Sequence, residues 1–205
     1  MVPRFSATTT PEGPTRSASP RRQLAYSLSA MSRYDVEALL RTRAERDEHF
    51  RTHYTSPIPE DHLPGFAGLS YFEPDPGLVL HGSMTVVEGK REIISSTGGT
   101  SSYRLAGHLE ILIGGQARRL VVLYGDEDEM FVPFRDGTCG KDSYSGGRYV
   151  GLTVAEDGSS IVDFNRAINP WCAYDEEFSC PLPPAENWLE VAVPAGEKAY
   201  QPPVV

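Results

Sequence analysis

The chain has 205 residues, 40% of them hydrophobic, and a formal net charge of -9; that length suits one domain with extensions, able to bury a core without disulfide staples. No apolar run approaches the roughly 18 residues that a membrane-spanning helix needs, and an acidic body disfavours a polyanionic partner such as nucleic acid. The charge is uneven: Arg4, Arg16, Arg21 and Arg22 against Glu12 leave residues 1–30 at +3 and the rest of the chain at -12.

Residues 1–30 are rich in Ser, Thr, Pro and Arg and lack the apolar stretch of a secretory signal. They read as a disordered N-terminal extension, with Met31 the natural start of the folded part. The expected organisation is a β-rich domain over 31–200 and a short tail over 201–205. A cytoplasmic location is expected, where the three cysteines default to free thiols.

The first predicted element is a helix. Ser32 and Asp35 fit a capping-box pattern. Val36, Leu39, Leu40, Ala44, Phe50 and Tyr54 fall near one face, and Glu37/Arg41 and Asp47/Arg51 are spaced to support the other. The prolines of "SPIPEDHLPGF" end it. After Gly65 the period changes to two. Leu78, Leu80, Gly82, Met84 and Val86 share one face of a strand, and Tyr103, Leu105, Gly107, Leu109, Ile111 and Ile113 share one face of the next. Gly114-Gly115 then marks a hairpin into "RRLVVLY". "REIISS", "MFVPF", "RYVGLTV", "SIVDFN" and "WLEVAV" complete a set of about eight short strands. With no helices alternating between them, a parallel doubly wound sheet is disfavoured. The expected fold is mainly β, an antiparallel barrel or sandwich-like sheet with one N-terminal amphipathic helix and a proline-rich C-terminal strap.

Chemistry concentrates in the C-terminal half. If "SIVDFN" is a strand, Asp163 and Asn165 emerge on one flank, about 7 Å apart, while Phe164 turns into the core. They then form a polar shelf at a barrel mouth, or they cap the turns of the following loop as Asx residues do. The glycine-rich "FRDGTCGKDSYSGGRY" is neither a Walker loop nor a dinucleotide fingerprint. It brings Tyr144 and Arg148 beside Asp163, or it leaves Arg148 as the buried partner of Asp136 or Asp163. Cys172 and Cys180 lie outside zinc-ribbon and redox-motif spacing, and neither Cys139 nor any histidine completes a metal set, so no metal site is expected. A nucleophilic Cys172, a buried apolar Cys172 and a Cys172–Cys180 disulfide all remain open. The acidic "GDEDEM" reads as a solvated turn rather than a calcium loop. Pro181, Pro183 and Pro184 make a stiff stretch, expected to strap a barrel end over Trp171, Tyr174, Phe178 and Trp188.

"FVPFRDGTCGKDSYSGGRY", "DFNRAINPWCAY", "FSCPLPPAENWLEVAV" and "AGEK" resemble the family called domain of unknown function 1684. The likeness runs from about Tyr34 to Lys198, with Asp163, Phe164, Asn165, Asn169, Pro170, Cys172, Ala173, Tyr174, Cys180, Pro181 and Asn187 on its pattern. Cys139 departs from it, standing where Ser or Thr is usual, as do Ile168 and Trp171, where Tyr and Pro are usual. The resemblance implies no reaction and no cofactor. A flavin-type cofactor suits a small barrel, yet no phosphate-binding signature accompanies one.

Two readings follow. In the first, Arg148, Asn165, Asn169 and Tyr174 bind a small polar or anionic molecule, with Asp163, Tyr144 and Cys172 as candidate catalytic groups. In the second, the domain is a structural or protein-interaction module, and those side chains latch the C-terminal strap to the barrel.

Overall fold

The computed structural model describes residues 34–203. The expected N-terminal extension and Ser32 lie outside the described residues. Helix α1 spans Val36–Thr52. Asp35 caps it by itself, its carboxylate accepting from the Ala38 N–H at 2.8 Å, so one of the unpaired donors of the first turn is satisfied. The face that α1 buries is only partly the apolar one read from the sequence: Leu39 and Phe50 are inside as expected and Arg43 joins them, while Val36, Leu40 and Tyr54 are exposed. Arg43 can be buried because its guanidinium lies over the Tyr71 ring, 4.5 Å from the centroid, and donates to the carbonyls of Phe72 and Asn165. The expected Asp47/Arg51 pair does not form. Arg51 meets Glu48 at 2.6 Å, and Asp47 accepts from the Leu69 N–H.

Six antiparallel strands follow: β1 (Val79–Ile94), β2 (Thr100–Ile113), β3 (Gln116–Tyr124), β4 (Met130–Phe134), β5 (Arg148–Val154) and β6 (Ser159–Asp163). Each pairs with the next, and β6 returns to β1. Closure removes every exposed sheet edge. Of the two expected architectures the barrel is the one formed. Its core contains Leu109, Ile111, Ile113, Leu120, Val122, Val132, Phe134, Val150, Val162 and Phe164. The Gly114-Gly115 hairpin joins β2 and β3 as expected, both glycines at positive φ (58° and 76°), the conformation that a two-residue turn demands.

The strands are fewer and longer than the alternation suggests. "REIISS" is not separate; it is largely the far half of β1, past a bulge between Val86 and Gly89. The bulge adds a residue to β1 opposite β2. Met84 points into the barrel, and Ile93, on the other face of β1, joins an outer cluster with Val121 and Leu123. Tyr103 and Leu105 pack against that outer cluster too, whereas Leu109, Ile111 and Ile113 stay in the barrel. A second irregularity lies between Leu105 and Gly107. There the chains approach so closely that a Cβ on Gly107, at φ +145°, would stand 2.1 Å from the Thr85 carbonyl oxygen.

"WLEVAV" is no member of the ladder, and the strap with four aromatic residues beneath it does not form. Trp171 and Trp188 are about half exposed (46% and 53%), and Tyr174 sits in a separate cluster with Phe50, Ile58 and Phe66. Pro181 and Leu182 run along the end of β1 instead, through a Pro181–Ser95 bridge and the Leu182 N–H to the Ile94 carbonyl. Residues 187–191 then insert beside the continuation of β4. Arg135 donates to the Asn187 carbonyl, Leu189 to the Arg135 carbonyl, and Gly137 to the Val191 carbonyl. Leu189, Val193 and Ala195 enter the barrel core.

The insertion works because β3 and β4 share only two register pairs, Leu123/Phe131 and Tyr124/Met130. Where the ladder opens, the fully buried Asn187 side chain supplies the missing rungs. Its Oδ1 accepts from the Val121 N–H at 2.7 Å, and its Nδ2 donates to the carbonyls of Val121 (2.9 Å) and Pro133 (2.7 Å). Replacing Asn187 by Leu strands these backbone groups away from water. The expected loss is about 2–4 kcal/mol, read in urea unfolding as a lower midpoint at unchanged slope; a midpoint equal to wild type would contradict the role assigned to the amide.

Candidate functional site

Arg148 opens β5 and is fully buried. Nη1 donates to the carbonyls of Ala195 and Glu197; Nη2 donates to the Val193 carbonyl (2.9 Å), to Asp136 Oδ1 (3.1 Å) and to Thr138 Oγ1 (3.4 Å). Its Cζ lies 5.1 Å from the Phe134 ring centroid. Asp136 completes the unit by accepting from the Val193 N–H at 2.7 Å. The expected anion anchor is therefore an internal fastener. Both terminal nitrogens are spent on the C-terminal backbone and on Asp136, the structural partner that the sequence left open; Nε alone has no partner among the described residues, and a buried ion pair needs dense hydrogen bonding of this kind to be tolerated.

Asn169 and Tyr174 meet a residue that sequence reasoning missed. Glu197, fully buried, accepts from Arg46 Nε (2.6 Å), the Asn169 N–H (2.8 Å) and the Tyr174 hydroxyl (2.5 Å). Asn169 Nδ2 donates to the Lys198 carbonyl. Burial, with the Glu197 carboxylate added, holds the Tyr174 phenol well above its ordinary range, so it stays a protonated donor. The pattern "AGEK" contains Glu197, but nothing in its spacing signals partners on α1 and in the 169–174 loop.

Asp163 and Asn165 do not share a flank. β6 ends at Asp163, and Phe164–Arg166 forms one 3₁₀ turn. Phe164 is fully buried, edge-on to Phe134 with ring centroids 5.1 Å apart. Asp163 caps the turn: Oδ1 accepts from the Asn165 N–H (3.0 Å) and Nδ2 (2.9 Å), and Oδ2 from the Tyr34 hydroxyl (2.8 Å), with Arg166 Nε at 3.2 Å. Asn165 takes the Asp75 backbone as a strand partner would, accepting its N–H at 2.7 Å and donating to its carbonyl at 2.9 Å. The polar shelf is replaced by a capped turn, because a short-range Asx bond to the next-but-one amide competes with extension of the strand.

Tyr144 goes elsewhere than expected. The glycine-rich loop carries it to Cys172, where its hydroxyl donates to the Cys172 carbonyl (3.3 Å) and Sγ (3.7 Å). The Cys172 N–H donates to Cys180 Sγ at 3.3 Å. The Cys180 N–H donates to Ser96 Oγ at 3.0 Å, and the Ser96 hydroxyl to the Phe178 carbonyl at 3.1 Å. Tyr149, next to Arg148 on β5, donates to the Pro181 carbonyl at 2.7 Å. All three cysteines are free thiols. A hydrogen bond from Cys180 pulls the Cys172 thiol down to about 6 against the opposing effect of burial, with Ser96 and Tyr144 helping. Cys180 is correspondingly pushed far up, by its bond to Cys172 and then by burial. The two thiols are thus pushed in opposite directions, Cys172 down and Cys180 up. Cys139 stands apart, its sulfur hydrogen-bonded with Asp136 and Ser143.

The expected residues thus divide among four places, three of them Arg148 with Asp136, Asn169 and Tyr174 around Glu197, and Asp163 with Asn165 at the end of β6. Tyr144 and Cys172 form a fourth centre with Cys180 and Ser96. Among the described residues no three His, Cys, Asp or Glu side chains gather as a metal ion requires, and no helix is long and apolar enough to cross a membrane.

A family model described as "Protein of unknown function (DUF1684)" matches residues 64–198, so the match covers the barrel and its C-terminal segment and leaves out α1. Among solved structures, the chain is similar to the solution NMR structure of an uncharacterised protein from Haloarcula marismortui, at 40% identity and a TM-score of 0.63, over 79% of this chain and 92% of that one. No curated protein matches the chain.

If Arg148 is a fastener, Arg148→Met leaves Asp136 charged and buried without its partner. The expected destabilisation is about 3–5 kcal/mol, measured by chemical unfolding. Asp163→Ala, which frees the Asn165 N–H and the Tyr34 hydroxyl nearer the surface, is expected to cost about 1–3 kcal/mol. Near-wild-type stability of both variants would return these residues to the ligand-binding reading.

Proposed function

The chain belongs to the DUF1684 family, proteins of unknown function, and we propose that its functional centre is the Cys172–Cys180 pair, at which the Cys172 sulfur takes a small polar electrophile. Arg148, Asn165, Asn169, Tyr174 and Asp163 then fasten the C-terminal segment and hold that centre in place. The carrying observation is the convergence of polar groups on two adjacent sulfurs: the Tyr144 hydroxyl on Cys172, and the Cys172 amide on Cys180.

A cysteine that merely fills a core meets apolar neighbours and titrates late. The Cys172 thiol is instead held down to about 6, by its bond to Cys180 first and with Ser96 and Tyr144 helping, which favours the thiolate at neutral pH. The sign follows from the lowered pKa: the thiolate is present above about pH 6 and is lost as pH falls through it. Size selection comes from burial. Cys172 is only 3% exposed, so a reagent reaches it as Tyr144 turns aside. The loop bearing Tyr144 has glycines at positive φ on either side, Gly140 and Gly147, where other side chains would be strained. The same burial favours a second reading, in which the pair only packs and the domain is a structural module.

Alkylation separates the two. Native protein treated with iodoacetamide between pH 4.5 and 9 is expected to modify Cys172 first, with a rate that rises through a midpoint near 6. Cys172→Ser removes that phase, and Tyr144→Phe raises its midpoint. Modification only after denaturation would leave the structural module as the function.

A further inference from the structure

We propose that Cys172 and Cys180 are a two-electron dithiol couple that reduces small hydroperoxides, with Cys172 the attacking sulfur and Cys180 the resolving one. This rests on the reading of Cys172 as a nucleophile. It goes further in naming the substrate class and in giving Cys180 a covalent role.

The geometry supplies each part. The Cys172 amide already donates to the Cys180 sulfur at 3.3 Å, so the two residues are immediate neighbours, and the disulfide forms as their side chains rotate to bonding distance. The intervening segment is short and tied at both ends. Ala173 donates to the Pro170 carbonyl and Tyr174 to the Trp171 carbonyl, while Ser96 donates from its N–H to the Cys180 carbonyl. Hydroxyl groups stand beside the reacting atoms, Tyr144 on the Cys172 sulfur and Ser96 on the Cys180 amide. An electrophile that must fit a nearly closed site and leave as a protonated oxygen species suits this donor set better than a bulky disulfide.

The chemistry balances in two steps. The Cys172 thiolate attacks the terminal oxygen of ROOH. The S–O bond forms as the O–O bond breaks, and the departing RO⁻ takes a proton to become ROH, giving Cys172 sulfenic acid. Tyr144 is the nearest hydroxyl that can pass that proton, regaining it from water. Cys180 then loses its thiol proton and its sulfur attacks the Cys172 sulfur. The S–S bond forms, and the leaving hydroxide takes the proton and departs as water. The dithiol is oxidised by two electrons and ROOH is reduced to ROH and water. A low-molecular-weight thiol returns the pair to the reduced state by exchange, itself becoming a disulfide.

The test uses the full chain. Reduced protein is treated with one equivalent of hydrogen peroxide, blocked with N-ethylmaleimide and analysed by intact mass and peptide mapping. Once the maleimide added at the remaining thiol is subtracted, the expected product is about 2 Da lighter than the reduced protein and carries a Cys172–Cys180 crosslink. Cys180→Ser is expected to stop at a Cys172 sulfenic acid trapped by dimedone, Cys172→Ser to slow peroxide consumption by about tenfold or more, and Cys139→Ser to change neither. A Cys172 that alkylates readily yet stays free, or goes on to sulfinic acid in the wild type, overturns the dithiol couple and leaves the nucleophilic thiol standing. A Cys172 inert to both reagents overturns both. Mapping of the crosslink on wild-type protein needs no variant to fold.

Discussion

Among the described residues after β6 the chain has no strand of its own, yet it supplies Leu189, Val193 and Ala195 to the barrel core. Burying backbone outside a ladder is expensive unless every amide and carbonyl finds a partner. Side chains supply those partners. Arg148 reads three alternate carbonyls, at 193, 195 and 197. Asn187 fills the gap between β3 and β4, Asn165 pairs with the Asp75 backbone, and Glu197 holds the Asn169 amide. The rest of the structure depends on this substitution of side chains for strands. It explains why a small barrel keeps a fully buried arginine and glutamate, groups whose desolvation costs several kcal/mol each unless offset by complete hydrogen bonding.

What was legible in the sequence follows from the range of the interactions. Alternation across Leu109, Ile111 and Ile113 is local, and it placed β2 and the barrel correctly, as did the paired glycines at 114 and 115. The same alternation puts Tyr103 and Leu105 on the barrel face of β2, but the irregularity between Leu105 and Gly107 shifts the phase by one residue and leaves no mark in composition. On α1 the apolar stripe misled for a different reason. Arg43 and Arg46 are drawn inward by partners far along the chain, the carbonyls of Phe72 and Asn165 and the carboxylate of Glu197. No pattern within the helix encodes that. Phe164 was read as inward and is inward, but the inference that Asp163 and Asn165 flank it on one side assumed that the strand continued. A single Asx bond ends the strand there.

The fastening and the thiol pair are one construction. Tyr144 and Arg148 lie on the same approach to β5, so the contact that ties Arg148 to the C-terminal carbonyls also fixes where the loop presents the Tyr144 hydroxyl. Asn169 is anchored to Glu197 and Lys198 three residues before Cys172. Cys180 is held from the other side, through Ser96 at the end of β1. The two sulfurs therefore meet because three separate parts of the barrel and its tail are locked together. That arrangement gives a short, irregular segment the rigidity usually provided by a strand.

The character of the locked site separates it from the other buried groups. Around Arg148, Asp136 and Glu197 most polar atoms are matched, donor to acceptor, with Arg148 Nε, Arg46 Nη2 and Asn169 Oδ1 left without a partner among the described residues. At the sulfurs the matching is of another kind. The Ser96 hydroxyl donates to a carbonyl, but the Tyr144 hydroxyl and the Cys172 amide both aim at sulfur, a weak acceptor when neutral and a good one when ionised. Two donors spent on neutral thiols gain little, and an apolar pair of equal volume would pack as well. The Tyr144 donor gains most when charge develops on Cys172, while the Cys172 amide fixes the Cys180 sulfur beside it, and that division of roles is what the proposed chemistry asks of the site.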